Sequence, residues 1–223
     1  MSDAAELTGE LTEDQVLSLL QQPEVTPQML SQISKGPAAA KSRKVNLALV
    51  THLRTPRHIS MPALRRLFTF DLMQVTLTPT VPADIKRVAE EQIMNRLESL
   101  SSGERMSLAR RASGRVAAAL LHDADSRVLE AALDNSRLVE NSVVTALMKH
   151  AAPESLFVAV SAHLKWSQRR EVQIALLRSE KTPLERAREL AKHFSEKFLR
   201  EIVPERREEI SEETSPPSGV SEN

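Results

Sequence analysis

Lys165, Trp166, Ser167, Gln168, Arg169 and Arg170 place the only tryptophan of the chain among three positive charges. A guanidinium can grip a phosphate or carboxylate through two parallel hydrogen bonds, and an indole face can hold a cation or stack on a flat group. Lys165, Trp166, Arg169 and Arg170 are therefore candidate partner-binding residues. The competing reading is architectural: Trp166 fills a gap between helices, Ser167 caps, and the arginines lie in solvent. A second basic run, Arg105, Arg110, Arg111 and Arg115, falls within one short helical pair. With Arg127 and Arg137 it would make a stripe for a nucleic-acid backbone, which rewards clustered cations through counterion release. Arg110, Arg111 and Arg115 join the candidate set on that ground. If Arg110, Arg111, Arg115, Arg127, Arg169 and Arg170 share one unbroken face, nucleic acid is favoured; if acids alternate with them, a protein partner is.

Other chemistry finds little footing. The six histidines at 52, 58, 122, 150, 163 and 193 are dispersed, and only His122 with Asp123 and Asp125 has local metal-ligand character. Two aspartates at a helix start serve first as cap and dipole partners, and a metal needs three or four converging ligands. The carboxylate pairs Glu90-Glu91 and Glu208-Glu209 sit on polar faces, with no apolar pocket to raise a pKa for acid–base work. No G-x-S-x-G, glycine-rich phosphate loop, H-E-x-x-H or C-x-x-C occurs. With no cysteine, a disulfide framework, a thiolate metal site and a cysteine nucleophile are excluded. We therefore expect no catalytic, cofactor-binding or metal-binding residue.

The formal net charge of zero hides an uneven distribution. Residues 101–200 carry 17 basic against 12 acidic side chains, and residues 201–223 carry 2 against 7. That terminal segment, rich in Glu, Ser and Pro, reads as a disordered acidic tail over 206–223, with residues 1–10 a flexible N-terminus. The acidic amino terminus does not read as a secretory signal, and no apolar run approaches the ~18 residues of a membrane span. A cytoplasmic protein without a membrane partner is expected.

The elements that must position these groups are helical. One Trp, five Phe, no Tyr and five Gly leave a core of Leu, Ala, Val and Ile, suited to closely packed helices and not to sheets. V-N-L-A-L-V-T-H-L-R-T-P at 45–56 recurs as V-Q-I-A-L-L-R-S-E-K-T-P at 172–183, identical at Val, Ala, Leu, Thr and Pro. Each copy reads as a helix end, a polar turn and a new start, with Thr as cap and Pro at the first helical position. Thr26-Pro27 repeats that device, and Val128, Ala131, Leu133 and Arg137 echo Val172, Ala175, Leu177 and Lys181. Ala175 should be buried where helices approach. Thr12 with Gln15 predicts a capping box, and Ile85, Val88, Ala89, Ile93 and Leu97 predict an amphipathic helix over 83–100. Pro62 should restart a helix capped by Ser60, and the β-like stretch 75–82 should be a connector.

Turns spaced by 29, 44 and 83 residues suggest stacked helical repeats over 11–205. D-x-D-x-R-V-x-E-A-A-L-x-N-x-R-L at 123–138 and R-R-E-V-Q-I-A-L-L-R-S-E-K-T-P at 169–183 resemble bacterial α-helical repeat proteins of the HEAT-like and leucine-rich-repeat-variant kind. The resemblance implies an all-α solenoid and no particular chemistry. The iron–sulfur cysteines of some leucine-rich-repeat-variant proteins have no counterpart here. The expected function is a non-enzymatic scaffold offering a solenoid surface to a protein partner; the alternative is a HEAT-like nucleic-acid-binding protein using a basic stripe on residues 105–170. Because the recurring positions serve packing and turning, function should reside where the copies differ: Thr51-His52-Leu53 against Arg178-Ser179-Glu180, and the turn around Trp166.

Overall fold

A computed structural model describes residues 11–206 and 209–210. These residues form an all-α protein without β-strand. The helices are α1 Glu13–Leu20, α2 Pro27–Lys35, α3 Pro37–Lys41, α4 Arg43–Thr51, α5 Arg57–Leu64, α6 Thr69–Leu77, α7 Ala83–Met94 and α8 Ser102–Arg111. They continue with α9 Gly114–Leu120, α10 Ser126–Leu133, α11 Glu140–Leu147, α12 Glu154–Ala162, α13 Arg170–Leu177, α14 Leu184–Ala191 and α15 Glu196–Ile202. The longest has 12 residues, too few for a helix to persist alone in water. Packing must therefore hold them. The chain divides into two compact units, 1–116 and 117–223, with the division falling inside α9.

Proline sets many of the breaks. Pro27 and Pro37 open α2 and α3 within the first turn, and Pro56, Pro82, Pro153 and Pro183 occupy the N-cap positions of α5, α7, α12 and α14. In the first unit helices pack on near neighbours in sequence: α4 meets α5 and α6, α5 and α6 both meet α7, and α1 reaches on to α4. In the second unit α10 meets α12, α11 meets α13, and α13 meets α14. A helix of this length buries only one stripe, so each must find partners on both sides to be stable.

Three long-range hydrogen bonds share one spacing. Arg54 Nη1 donates to Val25 O at 3.2 Å, Arg96 Nη1 to Leu67 O at 2.8 Å, and Lys181 Nζ to Ala152 O at 2.6 Å, each across 29 residues. Arg206 makes the same kind of bond over 27 and 24 residues, donating from Nη1 to Ser179 O and from Nη2 to Thr182 O. A cation from one turn thus ties down a carbonyl of an earlier turn. Three helices lie between Val25 and Arg54, and two each between Leu67 and Arg96 and between Ala152 and Lys181.

The recurring phrase has the same register in both places, but its threonine does different work from that expected. Thr55 Oγ1 donates to Leu49 O and Thr182 Oγ1 to Leu176 O, both at 2.6 Å. Pro56 and Pro183 take the N-cap position, without a side-chain cap bond. The hydroxyl therefore adds a second donor to a carbonyl at the end of the first helix, beside the N–H of His52 on Leu49 O and that of Ser179 on Leu176 O, instead of accepting from an orphan N–H of the second. Of the threonines that precede proline, Thr26 is the one that caps forward, accepting from Met29 N at 3.3 Å. The aligned polar residues Asn46 and Gln173 are both buried and both reach back, to Ala39 O and Ser167 O.

Three local expectations change. Pro62 lies inside α5 instead of restarting it, and Ser60 Oγ donates backward to Pro56 O. Burial of Ile59, Ala63 and Leu64 around the proline holds the turn despite one missing helical bond. Helix α6 runs on to Leu77 because Leu72 and Val75 bury together at i and i+3, so the connector begins only at Thr78. Helix α7 ends at Met94, followed by a 3-10 turn at Leu97–Ser99, and Ser101 with Glu104 forms the capping box of α8. Ala175 is buried as expected. Packed chain continues beyond 205: the Ile210 side chain is buried, and Arg188 Nε donates to Glu209 O at 3.1 Å. The acidic tail read from the sequence otherwise lies outside the described residues, as does the segment 1–10.

Candidate functional site

Helix α13 presents Glu171, Ile174, Ala175 and Arg178 at i, i+3, i+4 and i+7, which places all four on one face. Helix α11 offers Val144, Leu147 and Met148 at the same kind of spacing. Between them lies a groove of about 550 Å³. Phe157, Leu147, Ile174 and Ala175 make its apolar floor, and Lys149, His150, Arg178 and Lys181 bring basic groups to its edge. Glu171 and Glu180 also line it, so three Lys and Arg cations stand against two carboxylates.

The cations differ in freedom. Lys181 Nζ is held by the carbonyls of Ala152 and His150 at 2.6 and 3.4 Å, and lies 6.0 Å from the Phe157 ring centre. Lys149 and Arg178 are exposed and make no ion pair among the described residues. Met148, at the lip, is 70% exposed. His122 Nε2 sits 3.1 Å from Ala146 O of α11. Its pKa is pushed down, first by burial and then by the charge of Lys149, although the backbone contact opposes this.

The residues singled out from the sequence are mostly occupied elsewhere. Trp166 is 1% exposed, and its Nε1 donates to Leu133 O at 2.9 Å. A large ring with its polar atom satisfied by backbone is core, so Trp166 is not the stacking face expected of it. Lys165 Nζ sits 3.9 Å over that ring. Arg170 lies 5.2 Å from both Phe194 and Phe198, whose rings stack 5.3 Å apart. Arg169 is exposed and stands at the N-cap position of α13. In the first unit Arg115 meets Glu90 and Glu91 at 3.5 and 3.7 Å. Arg111 lines a separate hollow with Arg43 and Asp71, and Arg110 is exposed. Arg127, in the second unit, meets Asp125 at 2.9 Å. Acids thus interrupt the arginines in both units.

Sequence reading missed Met148-Lys149-His150, whose only outward signal is two basic residues directly after an apolar helix end. Arg178, Ser179 and Glu180 of the groove are, however, the triplet in which the two phrase copies differ. No group of three or more potential metal ligands converges among the described residues, and none of their helices is long and apolar enough to cross a membrane. No family model, curated protein or solved structure matches the chain.

Proposed function

We propose that this protein is a non-enzymatic scaffold whose groove between α11 and α13 receives a protein segment. One observation carries the reading: an apolar floor flanked by cations, of which Lys149 and Arg178 are committed to no other group among the described residues. A flexible apolar lip such as Met148 suits contact with varied side chains, and a basic rim would orient an acidic partner and speed its approach. Packing of helices on their next-but-one neighbours supports an α-solenoid related to HEAT-like or leucine-rich-repeat-variant proteins. A chain without cysteine suits a reducing, cytoplasmic setting. The nucleic-acid reading is weakened where Glu90, Glu91 and Asp125 neutralise arginines of the stripe.

A photo-crosslinker at Met148 tests the scaffold. The expected product is one defined protein adduct, absent when the crosslinker replaces exposed Phe68 and lost on Arg178→Glu. Salt-sensitive gel shifts of duplex or single-stranded nucleic acid, abolished by neutralising Arg110 and Arg169, would instead establish the basic stripe as the working surface.

A further inference from the structure

We infer that the groove between α11 and α13 is masked by the chain's own acidic segment, Ser211–Asn223, through Glu212 and Glu213 against Lys149 and Arg178. This rests on the reading of that groove as a binding surface, and adds its resident occupant. The chain is led there by its last described residues. Arg206 donates to the carbonyls of Ser179 and Thr182, and Ser179 itself lines the groove. Arg188 holds the carbonyl of Glu209, and the buried side chain of Ile210 fixes the point of departure. Glu212 follows only two residues later. Pro216 lies six residues beyond Ile210, within reach of about 20 Å for extended chain.

The chemistry of the segment matches the groove. S-E-E-T-S-P-P-S-G-V-S-E-N contains three glutamates and no basic residue. Glu212 and Glu213 would meet Lys149 and Arg178, the cations that make no ion pair among the described residues, while Glu171 and Glu180 keep the acids from settling deeper. Pro216-Pro217 brings two apolar rings and no backbone N–H, so it can lie on a floor of Leu147, Ile174 and Ala175 without burying an unpaired donor. A partner with the same acidic and apolar pattern would have to displace the segment, making access to the groove competitive.

The test uses methyl NMR of methionine in the full chain, with the Met148 resonance assigned by substitution. Truncation after Ile210 should shift that resonance, and a synthetic peptide of residues 211–223 added in trans should restore it. Glu212→Lys with Glu213→Lys in the full chain should reproduce the truncated spectrum. Lys149→Glu with Arg178→Glu should weaken the trans peptide about tenfold or more, and added salt should act in the same direction. An unchanged Met148 resonance in both the truncated and the charge-reversed chain overturns the masking proposal. The groove reading is judged apart from it, on the truncated chain with an unrelated Glu- and Leu-containing helical peptide as probe. Binding of that probe alone leaves a groove without this occupant; binding of neither removes both.

Discussion

The same phrase closes a surface in one unit and opens one in the other. In α13 the face of Glu171, Ile174, Ala175 and Arg178 lines the groove beside α11. The matching face of α4 is Lys44, Leu47, Ala48 and Thr51, and there Lys44 meets Glu13 at 3.6 Å while Ala48 packs on the core shared with α1 and α2. Thr51 turns inward as well, its hydroxyl donating to Leu47 O and its carbonyl accepting from Thr80. A second contrast lies just upstream: the position held by Trp166 in the second unit is held by Ala39 in the first, and each is 1% exposed. Identical packing residues therefore fix the turn, while the residues beside them decide whether neighbouring helices close upon it.

The contrast can be broken most strongly at that large-for-small exchange. Trp166→Ala should cost about 3–5 kcal/mol by leaving a cavity, and urea denaturation should show it; a loss below about 1 kcal/mol would mean that the indole is not core. Ala39→Trp should also destabilise, by about 1–3 kcal/mol, because that site is already filled by its own helices. Next come the backward threonine bonds. Thr182→Val removes a buried hydroxyl bond and leaves Leu176 O with the Ser179 N–H alone, and should cost about 1–1.5 kcal/mol, whereas Thr55→Val, in a half-buried turn, should cost about 0.5–1 kcal/mol. Equal melting temperatures for the two variants would erase that difference between the copies.

The smallest effect concerns pH. His52 in the first unit and His122 in the second both have lowered pKa values, chiefly from burial, with Arg54 and Lys149 respectively adding repulsion. The unfolded imidazole takes up its proton near about pH 6.5, before the folded one does. Stability from these residues is therefore fully present above that pH and is lost as pH falls toward the folded pKa. The urea midpoint should fall between pH 7.5 and 5.5, and His122→Gln should reduce that fall. A variant with an undiminished fall would remove His122 from the account.

Much of the fold was legible because helix periodicity and proline breaks report burial directly. Thr12 with Gln15 forms its capping box, and Val128, Ala131 and Leu133 are buried like Val172, Ala175 and Leu177. Where reading failed, tertiary contacts had overridden local preference. Thr55 and Thr26 precede proline alike, yet one donates backward and the other caps forward, a choice made by the helix end it must satisfy. Trp166 looked like a binding face because sequence cannot show Leu133 O waiting for its N–H. The groove was half visible: the differing triplet Arg178-Ser179-Glu180 pointed to it, but Met148 and Lys149 come from a different helix end, and only packing of α11 on α13 brings them opposite.

The cations that tie one turn to an earlier one have a consequence for how such a chain can change. Arg54, Arg96, Lys181 and Arg206 all donate to main-chain carbonyls, which every residue possesses whatever its side chain. The joint itself asks nothing of the receiving side chain, so that Val25, Leu67, Ala152 and Thr182 answer only to the core in which all four are buried. Exposed positions of these turns are thus open to revision without renegotiating the joints that hold them.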